Sequence, residues 1–243
     1  MKKITFFATL LAMLVSSVQS AFADDAKWTG KGIKSVDAAV TSLSDLTDGY
    51  YLVRNVGHST FLQEQGNGNL YLWNANNYSS DLTSINNAFS GDATNMNSVV
   101  YLAKDSEDGT YTMQFKSGKY MPTFGSGGTT SNATAAKLTI AIYNEGEPYF
   151  KFKDGSNYAD GKGGDLHGQG NGAGNFVGWQ DPSDKNGNGS YQFYKVTLDN
   201  LLTVNYKYTV DGHVVLTVNA SRLKGLAPSA DAYPCLTITG YDK

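Results

Sequence analysis

The stretch Gly49-Tyr50-Tyr51-Leu52-Val53, followed across a polar turn by Thr60-Phe61-Leu62, decides how this chain is read, because its pattern returns twice. The second copy is Gly109-Thr110-Tyr111-Thr112-Met113 with Gly118-Lys119-Tyr120-Met121. The third is Pro148-Tyr149-Phe150-Lys151-Phe152 with Ser156-Asn157-Tyr158-Ala159. Each copy is a turn, an aromatic-rich strand, a polar turn and a second strand anchored by an aromatic ring. One such unit cannot bury its apolar face alone, so the repetition implies a body built from all three copies. Alternation in Tyr111, Met113, Phe115 and in Phe150, Phe152 marks half-buried strands of period two.

Each copy continues through a Gly/Asn/Ser-rich loop to a closing strand. These are Ser98-Val99-Val100-Tyr101-Leu102, Ala136-Lys137-Leu138-Thr139-Ile140 and Ser190-Tyr191-Gln192-Phe193-Tyr194. Three units of four short strands predict an all-β fold, a β-trefoil over residues 45–198. Closure into a barrel would remove sheet edges and so keep a chain this rich in Tyr, Phe and Val from pairing with its neighbours.

Composition agrees and bounds the function. The chain has 27 Gly, 16 Tyr and 11 Phe against 5 Pro, a balance suited to strands and tight turns. Lys2 and Lys3, the apolar run Ile4 to Val15 and the small residues Ala21-Phe22-Ala23 predict a signal peptide over residues 1–23. The run is too short to span a bilayer and no comparable stretch follows, so no membrane insertion is expected of the mature chain. Losing the two leader lysines takes the formal net charge from −3 to about −5. A mildly acidic chain without a basic stripe is not expected to bind nucleic acid. The single cysteine, Cys235, excludes an intrachain disulfide, so stability must come from a packed core.

The run Ser42-Leu43-Ser44-Asp45-Leu46-Thr47-Asp48-Gly49-Tyr50-Tyr51-Leu52-Val53-Arg54-Asn55 resembles the opening of ricin-B-like trefoil domains in secreted Bacteroidetes proteins. Phe176-Val177-Gly178-Trp179 followed by Ser190-Tyr191-Gln192-Phe193 resembles the close of their third lobe. The resemblance implies a trefoil, export to the periplasm, cell surface or medium, and a glycan ligand. The Gln-x-Trp triplet that ricin-type lectins carry in each lobe does not occur in this chain. Residues 24–44 read as a polar lead-in with one weak amphipathic stretch, Val36 to Leu43. Residues 199–243 read as a small β-rich module: Leu202 to Val210 alternates, Asp211-Gly212 is a hairpin turn, and Val214 to Val218 returns. The resemblance extends to this module, where a hairpin precedes a Tyr-Pro turn.

Candidate ligand residues lie in the loops. Trp73, Asn74, Asn76 and Tyr78 in the first lobe, and Trp179 and Gln180 in the third, combine an aromatic plate with amides, which is what a sugar requires. Burial energy argues for the opposite reading, in which Trp179 is a barrel or cap residue; for Trp73 the two readings balance. Asp165, His167 and Gln169 could converge from the glycine-rich run 160–172, whose other reading is a glycine-tolerant connector. Asp184-Lys185-Asn186-Gly187-Asn188-Gly189 copies half a calcium loop, but Lys195 stands where a bidentate Glu is required, so it reads as a turn. His58, His167 and His213 show no metal-ligand spacing. Gly125-Ser126-Gly127 lacks a nucleophile elbow, and Asp45/Asp48 and Asp181/Asp184 fit turns better than a glycosidase pair. No metal, no cofactor and no enzymatic activity are expected. The expected function is non-catalytic carbohydrate binding through trefoil loops. The alternative is a structural or protein-interaction role for the C-terminal hairpin edge.

Overall fold

The computed structural model describes Trp28 and residues 30–73, 80–90, 93–126, 128–162 and 174–223. Its strands are β1 (Lys31–Ala39), β2 (Gly49–Asn55), β3 (Thr60–Glu64), β4 (Leu70–Trp73), β5 (Val99–Lys104), β6 (Tyr111–Phe115), β7 (Thr139–Ile142), β8 (Phe150–Lys153), β9 (Tyr158–Lys162), β10 (Gly174–Trp179), β11 (Tyr191–Val210) and β12 (His213–Leu223). Hydrogen-bonded neighbours form a closed circuit. β2 pairs β5, β5 pairs β6, Tyr111 of β6 bridges Leu138, β7 pairs β8, Phe150 of β8 pairs Tyr191, and β11 returns to β2. Hairpins β3–β4 and β9–β10, with the bridge Tyr120 to Asn132 between them in sequence, cap one end. The caps also meet one another: Gly174 pairs Leu72, and Asn69 bridges Thr130. A six-strand barrel closed by three such caps is a β-trefoil.

The threefold repetition persists into the core. Val53, Met113 and Phe152 stand opposite Phe193, Leu102 and Ile140 in successive strand pairs. One layer away, Tyr51, Tyr111 and Phe150 face Val100, Leu138 and Tyr191 in the same way. All twelve side chains belong to one buried cluster. Phe152 lies at its aromatic centre, with ring centroids 4.8 Å from Tyr191, 5.9 Å from Phe124, 6.0 Å from Phe176 and 6.1 Å from Phe193.

A second buried cluster covers the outside of the barrel, and it corrects two expectations. The first half of the weak amphipathic stretch Val36 to Leu43 is the end of β1, which pairs antiparallel with β11 from Ala39↔Tyr194 to Lys31↔Asn200. The first lobe's loop is not wholly irregular. It holds a helix, Leu82–Phe89, whose N-cap Asp81 accepts the Ser84 amide at 2.8 Å. Ile85 and Phe89 of this helix pack with Ile33 and Val36 of β1, with Leu52, Val99 and Tyr194 of the barrel and with Phe61 of β3. The Asn86 side chain both donates to the Val36 carbonyl and accepts its amide, each at 2.8 Å. The partners that make a strand of β1 and a helix of 82–89 are far away in sequence, so neither pattern is complete within its own segment.

The closing strand of the third lobe and the alternating strand after it are continuous: β11 runs unbroken through residue 198 to Val210. It then turns through Asp211 and Gly212, both at positive φ (50° and 82°), into β12, with Val210 opposite His213. Two left-handed residues in a two-residue loop make the type I′ turn, whose twist matches that of the strands. Among the described residues no helix is long and apolar enough to cross a membrane.

Packing so many tyrosines carries a pH signature. Burial pushes the phenols of Tyr51, Tyr191 and Tyr194 above the ordinary value, and that of Tyr143 up to about 12. A folded-state pKa raised above its unfolded value stabilises fully below the unfolded pKa and loses that contribution as pH rises through the folded one. The unfolding midpoint in urea should therefore fall from about pH 10 to 12 as these phenols ionise. A midpoint unchanged at about pH 11.5 would contradict the burial of these phenols.

Candidate functional site

The third lobe builds a cleft from a tight turn and the end of a cap strand. Between β8 and β9 the turn Asp154-Gly155-Ser156-Asn157 is held by one carboxylate. Asp154 Oδ1 accepts the amides of Ser156 (3.1 Å) and Asn157 (2.9 Å), while Oδ2 accepts the amide of Phe124 (2.5 Å) from the second lobe. A short acidic side chain suits this position because it can satisfy several turn amides at once. Asn157 Nδ2 also donates to the Phe124 carbonyl, at 3.4 Å. Gly178 of β10 completes the floor: its amide donates to the Gly125 carbonyl at 3.0 Å. A Cβ there would stand 2.8 Å from Phe124 Cβ and 2.9 Å from its carbonyl oxygen. Only glycine allows this approach.

The next residue, Trp179, pairs with Tyr158 and leaves 58% of its surface exposed. This corrects the packed reading of Trp179: its backbone ends the cap strand β10, but its indole is buried in neither barrel nor cap. Successive strand residues face opposite sides, and Phe176 and Gly178 hold the inward positions of β10, against Phe124. Trp179 and Gln180, both exposed, join Ser126, Ser156, Asn157 and Gly178 around a cavity of about 330 Å³. Nearby, Lys151 donates to Asp181 at 2.6 Å and stands 5.2 Å from the Tyr158 ring centroid, with Lys153 at 5.5 Å. The arrangement offers a flat apolar ring, side-chain amides and hydroxyls beside one another. It can hold a ligand that has both an apolar face and hydroxyl groups.

Register relates Trp73 to this site. Tyr158 pairs with both Lys153 and Trp179, and in the first lobe Phe61 pairs with both Arg54 and Trp73. The backbone of Trp73 thus occupies the first-lobe counterpart of Trp179. Asn74, Asn76, Tyr78, Asp165, His167 and Gln169 lie outside the described residues, as does Cys235. At the start of the glycine-rich run, burial pushes the Asp160 carboxyl above its usual range while His58 pulls it the other way. His58 Nε2 lies 2.9 Å from the Gly161 carbonyl oxygen.

The Asp184 segment is a turn: Asp184 Oδ1 accepts the Asn186 amide (2.8 Å), and the Asp184 carbonyl accepts that of Gly187 (3.1 Å). Among the described residues no three His, Cys, Asp or Glu side chains are grouped to hold a metal. Sequence reasoning named Trp179 and Gln180 and missed Ser126, Ser156, Asn157 and the organising Asp154. The available signal was the third copy's polar turn with Ser156 and Asn157 after it, read only as a turn and the opening of the second strand.

Compared by sequence, the chain matches no family model and no curated protein. Among solved structures it is similar to a ricin B-like lectin from Macrolepiota procera, solved with lactose, at 12% identity and TM-score 0.41, over 60% of this chain and 95% of that one. It is likewise similar to the Rhizoctonia solani agglutinin, at 16% identity and TM-score 0.41, over 62% and 97%. A third likeness is to the designed threefold-symmetric protein ThreeFoil, at 16% identity and TM-score 0.39, over 60% and 98%. The trefoil assignment rests on the strand circuit and register above.

Proposed function

We propose that this chain is a secreted, non-catalytic binding protein whose third-lobe cleft takes carbohydrate. The observation that carries the reading is the exposed indole of Trp179 at the rim of a cavity walled by Gln180, Asn157, Ser156 and Ser126. Tryptophan joins a large apolar face to a polar N–H, a combination enriched where proteins meet partners, and here converging polar groups stand beside it. In this reading the indole lies against the C–H face of a sugar ring, and the amides and hydroxyls exchange hydrogen bonds with the sugar hydroxyls. Trp73, at the matching register position, with Asn74, Asn76 and Tyr78 after it, forms a second site of the same kind.

A glycan array with residues 24–243 tests this directly. Selective binding to a few related glycans is expected, together with a loss of about tenfold or more in affinity for Trp179→Ala. The substitution removes an exposed side chain, so the unfolding free energy should move by no more than about 0.5 kcal/mol. A blank array on folded protein would sink the carbohydrate reading. It would also shift attention to the β11–β12 ribbon, where Leu202, Val214 and Leu216 are exposed.

A further inference from the structure

The second lobe carries a cavity in the place of the third-lobe cleft, with different chemistry. Tyr120 pairs with Gln114 and Asn132, as Tyr158 does with Lys153 and Trp179, so the turn 115–119 corresponds to 154–157, and Asn132 stands where Trp179 does. The aromatic plate is gone. A cavity of about 260 Å³ opens between Lys116, Ser117 and Lys119 of this turn and the cap turn 64–68 of the first lobe, with Asn97 at its edge.

At the base is Glu64, only 7% exposed. Its Oε1 accepts both the Ser117 hydroxyl (2.7 Å) and the Ser131 hydroxyl (2.5 Å), while Oε2 has no partner among the described residues. Glu64 as a residue is buried, but Oε2 is not sealed off: it is open to the cavity, where a donor from a ligand or from water can reach it. Above it, Lys116 and Lys119 are exposed, and neither ammonium has an ion-pair partner among the described residues. Lys119 Nζ stands 3.3 Å from where a Cβ would sit on Gly68, which places its charge at the cavity wall.

We propose that this cleft is a separate binding site for an acidic sugar, a hexuronate unit whose carboxylate meets Lys116 and Lys119 and whose ring hydroxyls donate to Glu64 Oε2. A bare sulfate would satisfy the lysines but repel Glu64 and offer it no hydrogen-bond donor. A neutral sugar would satisfy Glu64 and leave both lysines in water. A ring bearing hydroxyls and one anionic group answers both requirements. The inference rests on the proposed function in taking a sugar as ligand, and on different residues.

The test is calorimetric titration of residues 24–243 with a trigalacturonate, its neutral trisaccharide counterpart and sodium sulfate. The parent protein, Lys116→Ala/Lys119→Ala, Glu64→Gln and Trp179→Ala are compared. The uronate should bind the parent and Trp179→Ala alike, and weaken as salt is raised. It should lose about tenfold or more in the lysine double variant and in Glu64→Gln. The double variant changes only exposed turn residues, so it decides the matter even where Glu64→Gln does not fold. Equal affinity for the neutral trisaccharide would overturn the proposal, and so would sulfate binding that Glu64→Gln leaves intact. Loss of uronate binding in Trp179→Ala would overturn it too, by merging the two clefts. Uronate binding with a blank neutral-glycan array would uphold this site and reject the third-lobe one; the reverse result would reject only this site.

Discussion

Replacing Phe152 with alanine is expected to cost about 4 kcal/mol of unfolding free energy, the largest single-residue effect anticipated here. The ring is fully buried and touches Tyr191, Phe124, Phe176 and Phe193, so its loss removes transfer energy and several edge-to-face or tilted ring contacts at once. It also leaves a hole where strands from different lobes meet and cannot collapse without breaking barrel register. Phe124 is among the groups left with a gap, and Phe124 forms the floor of the third-lobe cleft through its contacts with Gly178 and Asn157. Ligand affinity should therefore fall along with stability in this variant, while Trp179→Ala separates the two. Urea unfolding measures the first effect; a loss below about 1.5 kcal/mol would mean that Phe152 does not sit at the barrel centre.

Gly178→Val is the second large effect, at about 3 kcal/mol of destabilisation. A Cβ at this position meets Phe124 Cβ at 2.8 Å, the Phe124 carbonyl oxygen at 2.9 Å and Asn157 Cβ at 3.0 Å. Two of these are rigid: one is backbone, and the other belongs to a ring wedged against Phe152 and Phe176. Relief requires β10 to withdraw from residues 124–125, which breaks the Gly178 amide bond to the Gly125 carbonyl. The same movement separates Trp179 from Ser126 and Asn157, so a variant that still folds should bind ligand more weakly than the parent. Retained stability together with retained binding would show that the cleft floor is looser than these distances require.

The repeat carried most of the fold because it is written in short, contiguous pieces. Tyr51, Tyr111 and Phe150 recur at one phase of their strands, as do Val53, Met113 and Phe152, and the structure places each set in one layer of the barrel. Asp211-Gly212 was equally legible, since a type I′ turn demands two residues that tolerate positive φ. β2 shows where local pattern loses information. Tyr51 and Val53 face the barrel interior while Leu52 faces the outer cluster, so the strand is buried on both sides and polar alternation disappears.

Of the candidate site, sequence alone identified an aromatic ring with amides beside it, and set Trp73 and Trp179 in matching places. That much follows from composition and repetition, which are covalent facts. Which way Trp179 points was a tertiary decision: Phe176 and Gly178 claim the positions against Phe124, and on the other face Val177 is covered while Trp179, at the strand's end, is left in solvent. The partners that complete its cleft, Ser126 from one lobe and Asn157 from the next, adjoin only because the caps meet at the barrel's end. The same holds for Glu64 with Lys116 and Lys119, residues more than fifty positions apart that share a cavity across a lobe boundary. Sequence determined the repeated barrel strands, since their formation follows local periodicity, whereas β1 took its form from distant partners. Folding decided the sites, because each is assembled from turns of different lobes whose distance is set by barrel closure.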